Sequence, residues 1–243
     1  MTRMPPAHVS DAFGASGTPV PAGPAWDDGW LYGDTVISAV ADPSRAAWSA
    51  KVLESLAVDG AEVAHPVRTS DGRHVLSGWR ARQHRPGRPE PRADETIVAC
   101  GRLEEALAHL ERPRFLAGGG GHVFDVCDRA AWAEDPIAQL EESLDPEAVP
   151  RGDAAEALAA AGGMIGLRGQ VRAEGQLVHG DPVGTVLYDG SAPPLFVDLV
   201  PRWHPAGWTR AVAAVDAVAW GGAAEDLLGR FDHVPHWDGL LAR

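Results

Sequence analysis

Residues 176–199 read QLVHGDPVGTVLYDGSAPPLFVDL, and the fold of the whole chain is best predicted from this stretch. The apolar runs at 186–188 and 195–197 are typical of short β-strands. Asp189 and Gly190 lie between the two runs and are strong turn residues. The pattern therefore predicts a β-hairpin.

Two carboxylates flank this hairpin. Asp181 ends the triplet that begins at His179, ahead of the first strand, and Asp198 closes the second strand. One carboxylate can orient or deprotonate an attacking hydroxyl group, while a second can hold Mg²⁺ against the phosphates of a nucleotide. The spacing therefore favours phosphoryl transfer. The plainer alternative is a hairpin in which these Asp and His residues only cap turns.

The same segment resembles the catalytic segment of aminoglycoside phosphotransferase-like kinases, which belong to the protein-kinase-like superfamily. The shared features are HGD, a short turn, an apolar strand, and an Asp that closes another apolar strand. The resemblance implies that Asp181 is catalytic, that His179 braces its loop, and that Asp198 is a metal ligand. It also places Thr185 at the second metal ligand, where the family has Asn. A Thr hydroxyl is a weaker ligand for a hard cation than an amide carbonyl, so this position departs from the family.

A second resemblance lies upstream, in VISAVADPSRAAW at 36–48. It is similar to an uncharacterised actinobacterial branch of the superfamily, in which a strand of the type VLKPV precedes a helix containing AAW. Ser38 then stands where the phosphate-binding Lys is expected. Lys51, the chain's only lysine, and Glu54 are the candidate cofactor-binding residues on the helix, and Arg45 is the nearest arginine. The plainer interpretation of these helix positions is a solvated surface.

Apolar periodicity predicts the main helices. A helix over 42–56 has Asp42 as its N-cap and Pro43 in its first turn. A second helix spans 93–110, with Glu104 and Glu105 on its outer side, and a third spans 208–220. These helices are accompanied by short strands, and the resemblance implies that they form a mixed α+β fold.

The resemblance and the helix pattern together imply a two-lobe protein-kinase-like fold. Residues 1–84 would form a small N-terminal lobe with a reduced antiparallel sheet, and residues 93–243 a larger, mainly helical C-terminal lobe carrying HGD. The polar, Pro-rich stretch at 80–92 is typical of a flexible linker and is the expected hinge. Four glycines at 118–121 predict a flexible loop, because they lack the sequence context of a P-loop.

Composition limits the function classes. The chain has 243 residues, of which 45% are hydrophobic and 23% charged, as in ordinary globular proteins. A net charge of −13 argues against a nucleic-acid or anionic-membrane surface. Cys100 and Cys127 form no metal or redox motif and are expected to be buried. No signal peptide or membrane span is visible, which predicts a cytoplasmic protein.

The predicted function is transfer of the γ-phosphoryl group of ATP or GTP, with Mg²⁺, to a hydroxyl group of a small molecule. The alternative is a catalytically impaired kinase-like protein that binds a nucleotide, a metabolite or a protein partner. Ser38 and Thr185 favour this alternative, because each exchange removes electrostatic stabilisation that phosphoryl transfer needs. Tryptophans beside the site could hold a ligand or simply pack the lobes. They are Trp26, Trp30, Trp203 and Trp208.

Overall fold

The computed structural model of the protein describes residues 3–117, 123–141 and 154–242, and the four-glycine stretch lies outside these ranges. The strands are β1 (Val20–Gly23), β2 (Gly29–Tyr32), β3 (Thr35–Ala39), β4 (Glu62–Val63), β5 (Pro66–Val67), β6 (Val75–Leu76), β7 (Trp79–Gln83), β8 (Gly175–His179), β9 (Val186–Leu187), β10 (Leu195–Phe196) and β11 (Pro201–Pro205). The helices are α1 (Ala7–Ala12), α2 (Pro43–Leu53), α3 (Ala93–Leu107), α4 (Val123–Ala131), α5 (Pro136–Glu141), α6 (Ala154–Arg168), α7 (Pro182–Thr185), α8 (Trp208–Ala219) and α9 (Trp237–Leu241).

A six-stranded antiparallel sheet forms the small lobe, with the order β1-β2-β3-β7-β5 and β6 paired to β7. Successive side chains of a strand point to opposite faces. One face of β3 and β7 presents Ile37, Trp79 and Ala81, which pack against α1. The opposite face carries Ser38 and Arg80, which lie directly across from each other in the β3–β7 register.

The stretch expected to be a flexible linker is partly ordered structure. Its first four residues belong to β7, the strand between β3 and β5. Further along, Arg88 exchanges two backbone hydrogen bonds with Tyr188, at 3.0 and 2.9 Å. Composition was misleading here because Arg and Pro are frequent in linkers, whereas these arginines project from a buried strand. The lobe boundary at 80–92 stays a prediction.

Two of the predicted helices form the centre of the large lobe. α3 and α8 pack against each other, and both confirm the helical periodicity. The prediction that Glu104 lies on the outer side of α3 is wrong, because this residue is only 2% exposed. It follows Cys100 by four positions and precedes Leu107 by three, so it lies on the apolar face of the helix. Its carboxylate accepts hydrogen bonds at the start of α8.

The predicted hairpin is confirmed and also connects the lobes. β9 and β10 pair antiparallel, with Leu187 opposite Leu195. β4 adds to the other edge of β10 as a parallel neighbour, with Val63 opposite Phe196. The segment before Asp198 is therefore paired to a strand from the first half of the chain.

The helix predicted at 42–56 is confirmed with a shorter end, at Leu53. The Asp42 side chain accepts hydrogen bonds from the backbone N–H groups of Ser44 and Arg45, both at 3.0 Å. Of the cysteines, Cys100 is buried as expected, whereas Cys127 is exposed. Among the described residues, no helix is both long enough and apolar enough to cross a membrane.

Candidate functional site

The HGD triplet lies at the end of β8. β8 pairs antiparallel with β11, and His179 is opposite Pro201. Asp181 follows His179, at the C-terminal end of β8. Asp198 precedes Pro201, at the N-terminal end of β11. Both carboxylates therefore lie beyond the same end of the β8–β11 pair. Asp181 is exposed and caps α7, with its Oδ1 accepting the Gly184 N–H at 3.1 Å.

A buried histidine holds this loop in place. The Nδ1 of His179 accepts the backbone N–H of Val200 at 3.0 Å, so its Nε2 carries the proton and donates to the Thr185 hydroxyl at 2.7 Å. The backbone N–H of His179 donates to the Thr209 hydroxyl at 2.9 Å. Burial lowers the pKa of the His179 imidazole, despite the charges of Asp181 and Asp198. The neutral ring joins the Asp181 loop to the segment that follows Asp198.

Thr185, the expected second metal ligand, faces this histidine. Its hydroxyl donates to the backbone carbonyl of Asp181 and accepts from His179 Nε2. The donor and one acceptor position of the hydroxyl are thus used within the loop, and the residue is buried. The arrangement gives Thr185 a role in holding Asp181 in position.

Asp198 is paired with an arginine from the small lobe. The Nη1 of Arg80 donates to Asp198 Oδ1 at 2.8 Å and the Nη2 donates to Oδ2 at 2.7 Å, a two-pronged charge-assisted contact. Burial acts to raise the pKa of the Asp198 carboxyl, but the Arg80 guanidinium outweighs it and holds the pKa well below its usual range. Asp198 and Arg80 therefore form an ion pair between the lobes.

A second acidic residue, Asp27, completes the cluster from the loop between β1 and β2. Its Oδ2 accepts from Arg80 at 2.7 Å and from Arg82 at 2.6 Å. Ser38 donates to the same oxygen at 3.1 Å, and Arg82 also donates to the Val197 carbonyl at 2.8 Å. Burial lowers the pKa of the Arg82 guanidinium. We call Asp27, Ser38, Arg80, Arg82 and Asp198 the cleft cluster.

An open cavity of about 610 Å³ lies against the cleft cluster. Trp26 and Trp208 are buried in the packing of the lobes, and Trp30 lies in β2. In the described part of the chain, no tryptophan lines this cavity. The cleft is therefore open rather than filled by aromatic side chains. Its charged lining residues are Asp27, Asp42, Arg45, Arg80, Asp198 and Arg202, together with Asp125.

Neither of the predicted helix residues joins this site. Lys51 lines a different cavity, together with Trp48 and His109. Glu54 forms a two-pronged ion pair with Arg68, at 2.7 and 2.6 Å, on the outside of the small lobe. A helix surface explains both residues.

Three members of the cleft cluster were missed from the sequence. The composition of 80–92 predicts a linker for Arg80 and Arg82, although their alternation in WRARQ is the period-two pattern of a strand. Asp27, in WDDGW, lies in a local pattern that indicates no functional role. Asp27 precedes Asp198 by about 170 positions. No local pattern of residues indicates that Asp27, Arg80 and Arg82 lie close to Asp198.

The donor set does not fit Mg²⁺ as arranged. Both oxygens of Asp198 accept N–H groups of Arg80, and Oδ1 also accepts the Leu199 N–H at 2.8 Å. The Thr185 hydroxyl points into its own loop. Mg²⁺ requires several oxygen ligands in octahedral geometry. Over residues 3–117, 123–141 and 154–242, no group of three or more His, Cys, Asp or Glu residues is arranged to hold a metal ion.

The cleft offers guanidinium donors to an anionic group, although its charged lining in the described ranges has four aspartates and three arginines. The buried Nε atoms of Arg45, Arg80 and Arg82 have no hydrogen-bond partner in the described structure. Buried polar groups are normally paired, so unpaired guanidinium N–H groups beside a cavity mark a place for an acceptor. Arg45 and Arg80 both line the cavity.

No family model matches the sequence, and no curated protein matches it. Solved structures do match. An aminoglycoside phosphotransferase from Alicyclobacillus acidocaldarius is 15% identical and has a TM-score of 0.59, with 99% of this chain and 79% of that chain covered. A choline/ethanolamine kinase family protein from Mesorhizobium loti is 14% identical and has a TM-score of 0.51, with 94% and 77% covered. At these identities the likeness establishes the fold: the chain has the two-lobe, α+β fold of kinase-like phosphotransferases.

Proposed function

We propose that the chain binds ATP or GTP in the cleft and transfers the γ-phosphoryl group to a hydroxyl group of a small molecule. The observation that carries this proposal is that Asp198 and three arginines line one open cavity, while the HGD loop lies beyond the same end of the β8–β11 pair as Asp198. The fold, shared with an aminoglycoside phosphotransferase, supports it.

The proposed reaction is a direct displacement at phosphorus. The acceptor hydroxyl oxygen forms a bond to the γ-phosphorus while the bond from that phosphorus to the β,γ-bridging oxygen breaks. The hydroxyl proton passes to the carboxylate of Asp181, and the products are the phosphorylated small molecule and a nucleoside diphosphate. Asp181 is suited to this role because it is exposed and its loop is held by His179 and Thr185.

Room for the acceptor lies next to the cleft. A second cavity, of about 470 Å³, shares Arg45, Asp125 and Arg202 with the first. Aromatic side chains of Trp132 and Trp203 line it as well. A nucleotide in one cavity and a small molecule in the other would bring their reacting groups together at the shared wall.

The second candidate function is binding without transfer. It is favoured by the full pairing of Asp198 with Arg80 and by the inward orientation of Thr185, since both residues were expected to hold the metal. In this case the protein would bind a nucleotide, a metabolite or a protein partner. The narrower placement in an actinobacterial branch of the superfamily depends on the stretch at 36–48 alone.

Calorimetry with ATP and GTP, with and without Mg²⁺, tests binding, and release of nucleoside diphosphate with a panel of hydroxyl compounds tests transfer. We expect Asp181→Asn to bind nucleotide like the wild type and to lose about 100-fold or more in turnover, because the base is removed. Lys51→Met is the control and should change neither quantity. Binding without turnover for every acceptor would support the second candidate, and a wild type that binds neither nucleotide would eliminate both nucleotide-based proposals.

A further inference from the structure

Ser38 cannot supply the positive charge that the resemblance expects at its position. It is fully buried, and its hydroxyl donates to Asp27. A neutral hydroxyl group offers a phosphate one weak hydrogen bond and no charge. Lys51 lines another cavity, so it does not supply the charge either. A phosphate-binding cation must come from elsewhere in the cleft.

Arg80 starts from nearly the same point on the sheet. It lies directly opposite Ser38 in the antiparallel β3–β7 pair. Residues that face each other in this way have Cβ atoms about 5 Å apart on one face of the sheet. The guanidinium of Arg80 therefore projects from the neighbouring strand into the space that a long side chain at position 38 would occupy. Its contact with Asp198 confirms this direction.

The guanidinium retains capacity for an anion. Arginine carries five N–H donors, and three of those of Arg80 go to Asp198 and Asp27. The Nε donor is buried and has no partner in the described ranges, and the residue lines the cavity. Arg82 lies deeper and holds Asp27 and the Val197 carbonyl, so it supports the cluster from behind.

We infer that Arg80 on β7 is the phosphate-binding cation of this cleft, opposite the position on β3 where the resemblance expects one. This inference rests on the proposed nucleotide binding. The paired carboxylates Asp198 and Asp27 keep the guanidinium charged despite its burial, and they position it before the ligand arrives. A nucleotide phosphate then accepts hydrogen bonds from Arg80 at the cavity side of the Asp198 pair.

Calorimetric titration with ATP and ADP, each in the absence and presence of Mg²⁺, measures the effect. We expect Arg80→Met to weaken binding by at least about tenfold, because a charge-assisted contact to phosphate is lost. Arg80→Lys should retain part of the affinity. Adding Ser38→Lys to Arg80→Met should recover affinity, since the lysine supplies a positive charge from the opposite position on β3. Arg68→Met, an arginine of the same lobe paired with Glu54 on the outside, is the matched control and should bind like the wild type.

Arg80→Met leaves Asp198 unpaired and could unfold the chain, so a second comparison avoids that charge. Asp198→Asn and the double variant Asp198→Asn with Arg80→Met carry no unpaired carboxylate at 198. Tighter ATP binding by the first than by the second, with both folded by thermal melting, supports the inference. Equal binding in that pair, or unchanged binding in folded Arg80→Met, overturns it while the proposed function stands. A wild type that binds no nucleotide overturns the proposed function, and this inference with it.

Discussion

Two carboxylates are buried in the described part of this protein, and their surroundings differ. Glu104 lies between α3 and α8, where it accepts the N–H groups of Gly207 at 3.0 Å and Thr209 at 2.8 Å, and the Nε of Arg210 at 3.1 Å. Asp198 lies between the lobes, where most of its partners are guanidinium N–H groups of Arg80. Glu104 therefore accepts mainly backbone N–H groups, whereas Asp198 accepts mainly N–H groups of an arginine side chain.

The pKa values of the two carboxyl groups are shifted in opposite directions. Burial raises the pKa of the Glu104 carboxyl, and Arg210 offsets this only in part. For Asp198, Arg80 outweighs burial and the pKa lies well below its usual range. Glu104 satisfies the first N–H groups of a helix, which have no other intrahelical partner. Asp198 and Arg80 both line a cavity, so a ligand can reach their ion pair. Burial alone does not distinguish a structural carboxylate from a functional one, but the partners and the adjoining space do.

The largest expected effect is the loss of stability on replacing Glu104, the structural carboxylate. Glu104→Ala leaves two buried backbone N–H groups and the Arg210 guanidinium without their acceptor. We expect a loss of about 3 to 5 kcal/mol in the free energy of unfolding, the usual cost of breaking a buried charged pair. Urea denaturation measures it. Glu104→Gln retains an acceptor oxygen and should lose less, and an Ala variant as stable as the wild type would show that the α8 terminus is satisfied in another way.

A smaller loss of stability is expected on replacing Asp198, the carboxylate beside the cavity. Asp198→Ala removes the main partner of Arg80, but Arg80 keeps Asp27 and faces an open cavity that water can enter. We expect a loss of about 2 kcal/mol in unfolding free energy, within the range for an unsatisfied charged group. The same denaturation series provides the measurement. If Asp198→Ala were more destabilising than Glu104→Ala, the distinction between the two carboxylates would be wrong.

The smallest effect concerns a third buried ionisable group, His179, which is neutral. Its lowered pKa means that the unfolded chain binds the proton at a higher pH than the folded chain does. Stability is therefore complete above about pH 6.5, the ordinary histidine value, and falls as the pH descends toward the lowered folded value. Unfolding midpoints between about pH 7 and pH 5 should show this decline.

His74 and His84 also have lowered pKa values because of burial and contribute in the same direction. His179→Gln isolates the contribution of His179, since a Gln amide can still donate to Thr185 but does not titrate. The decline in stability should be shallower in this variant. Parallel pH profiles for the two proteins would contradict the buried, neutral state of His179.

Much of the fold could be predicted from the sequence. The periodicity of 93–110 and 208–220, the Asp42 cap and the hairpin around Asp189 and Gly190 are all local patterns, and each is confirmed. They could be predicted because apolar spacing and turn residues act within a few positions of the chain. The error at Glu104 came from treating charge as a sign of exposure, although its spacing from Cys100 and Leu107 indicated the buried face.

The sequence by itself determined the three main helices and the hairpin that places Asp198 at the end of a strand. Only the tertiary structure decided which cation meets that carboxylate. Arg80 is separated from Asp198 by more than a hundred residues, and the two come together because β3 and β7 pair in a particular register and β4 joins β10. Strand register and lobe packing depend on long-range pairing, which no local pattern of residues specifies. For the same reason Lys51 and Glu54, which are near Ser38 in the sequence, lie outside the site, while Arg80, from a stretch that resembles a linker, lies within it.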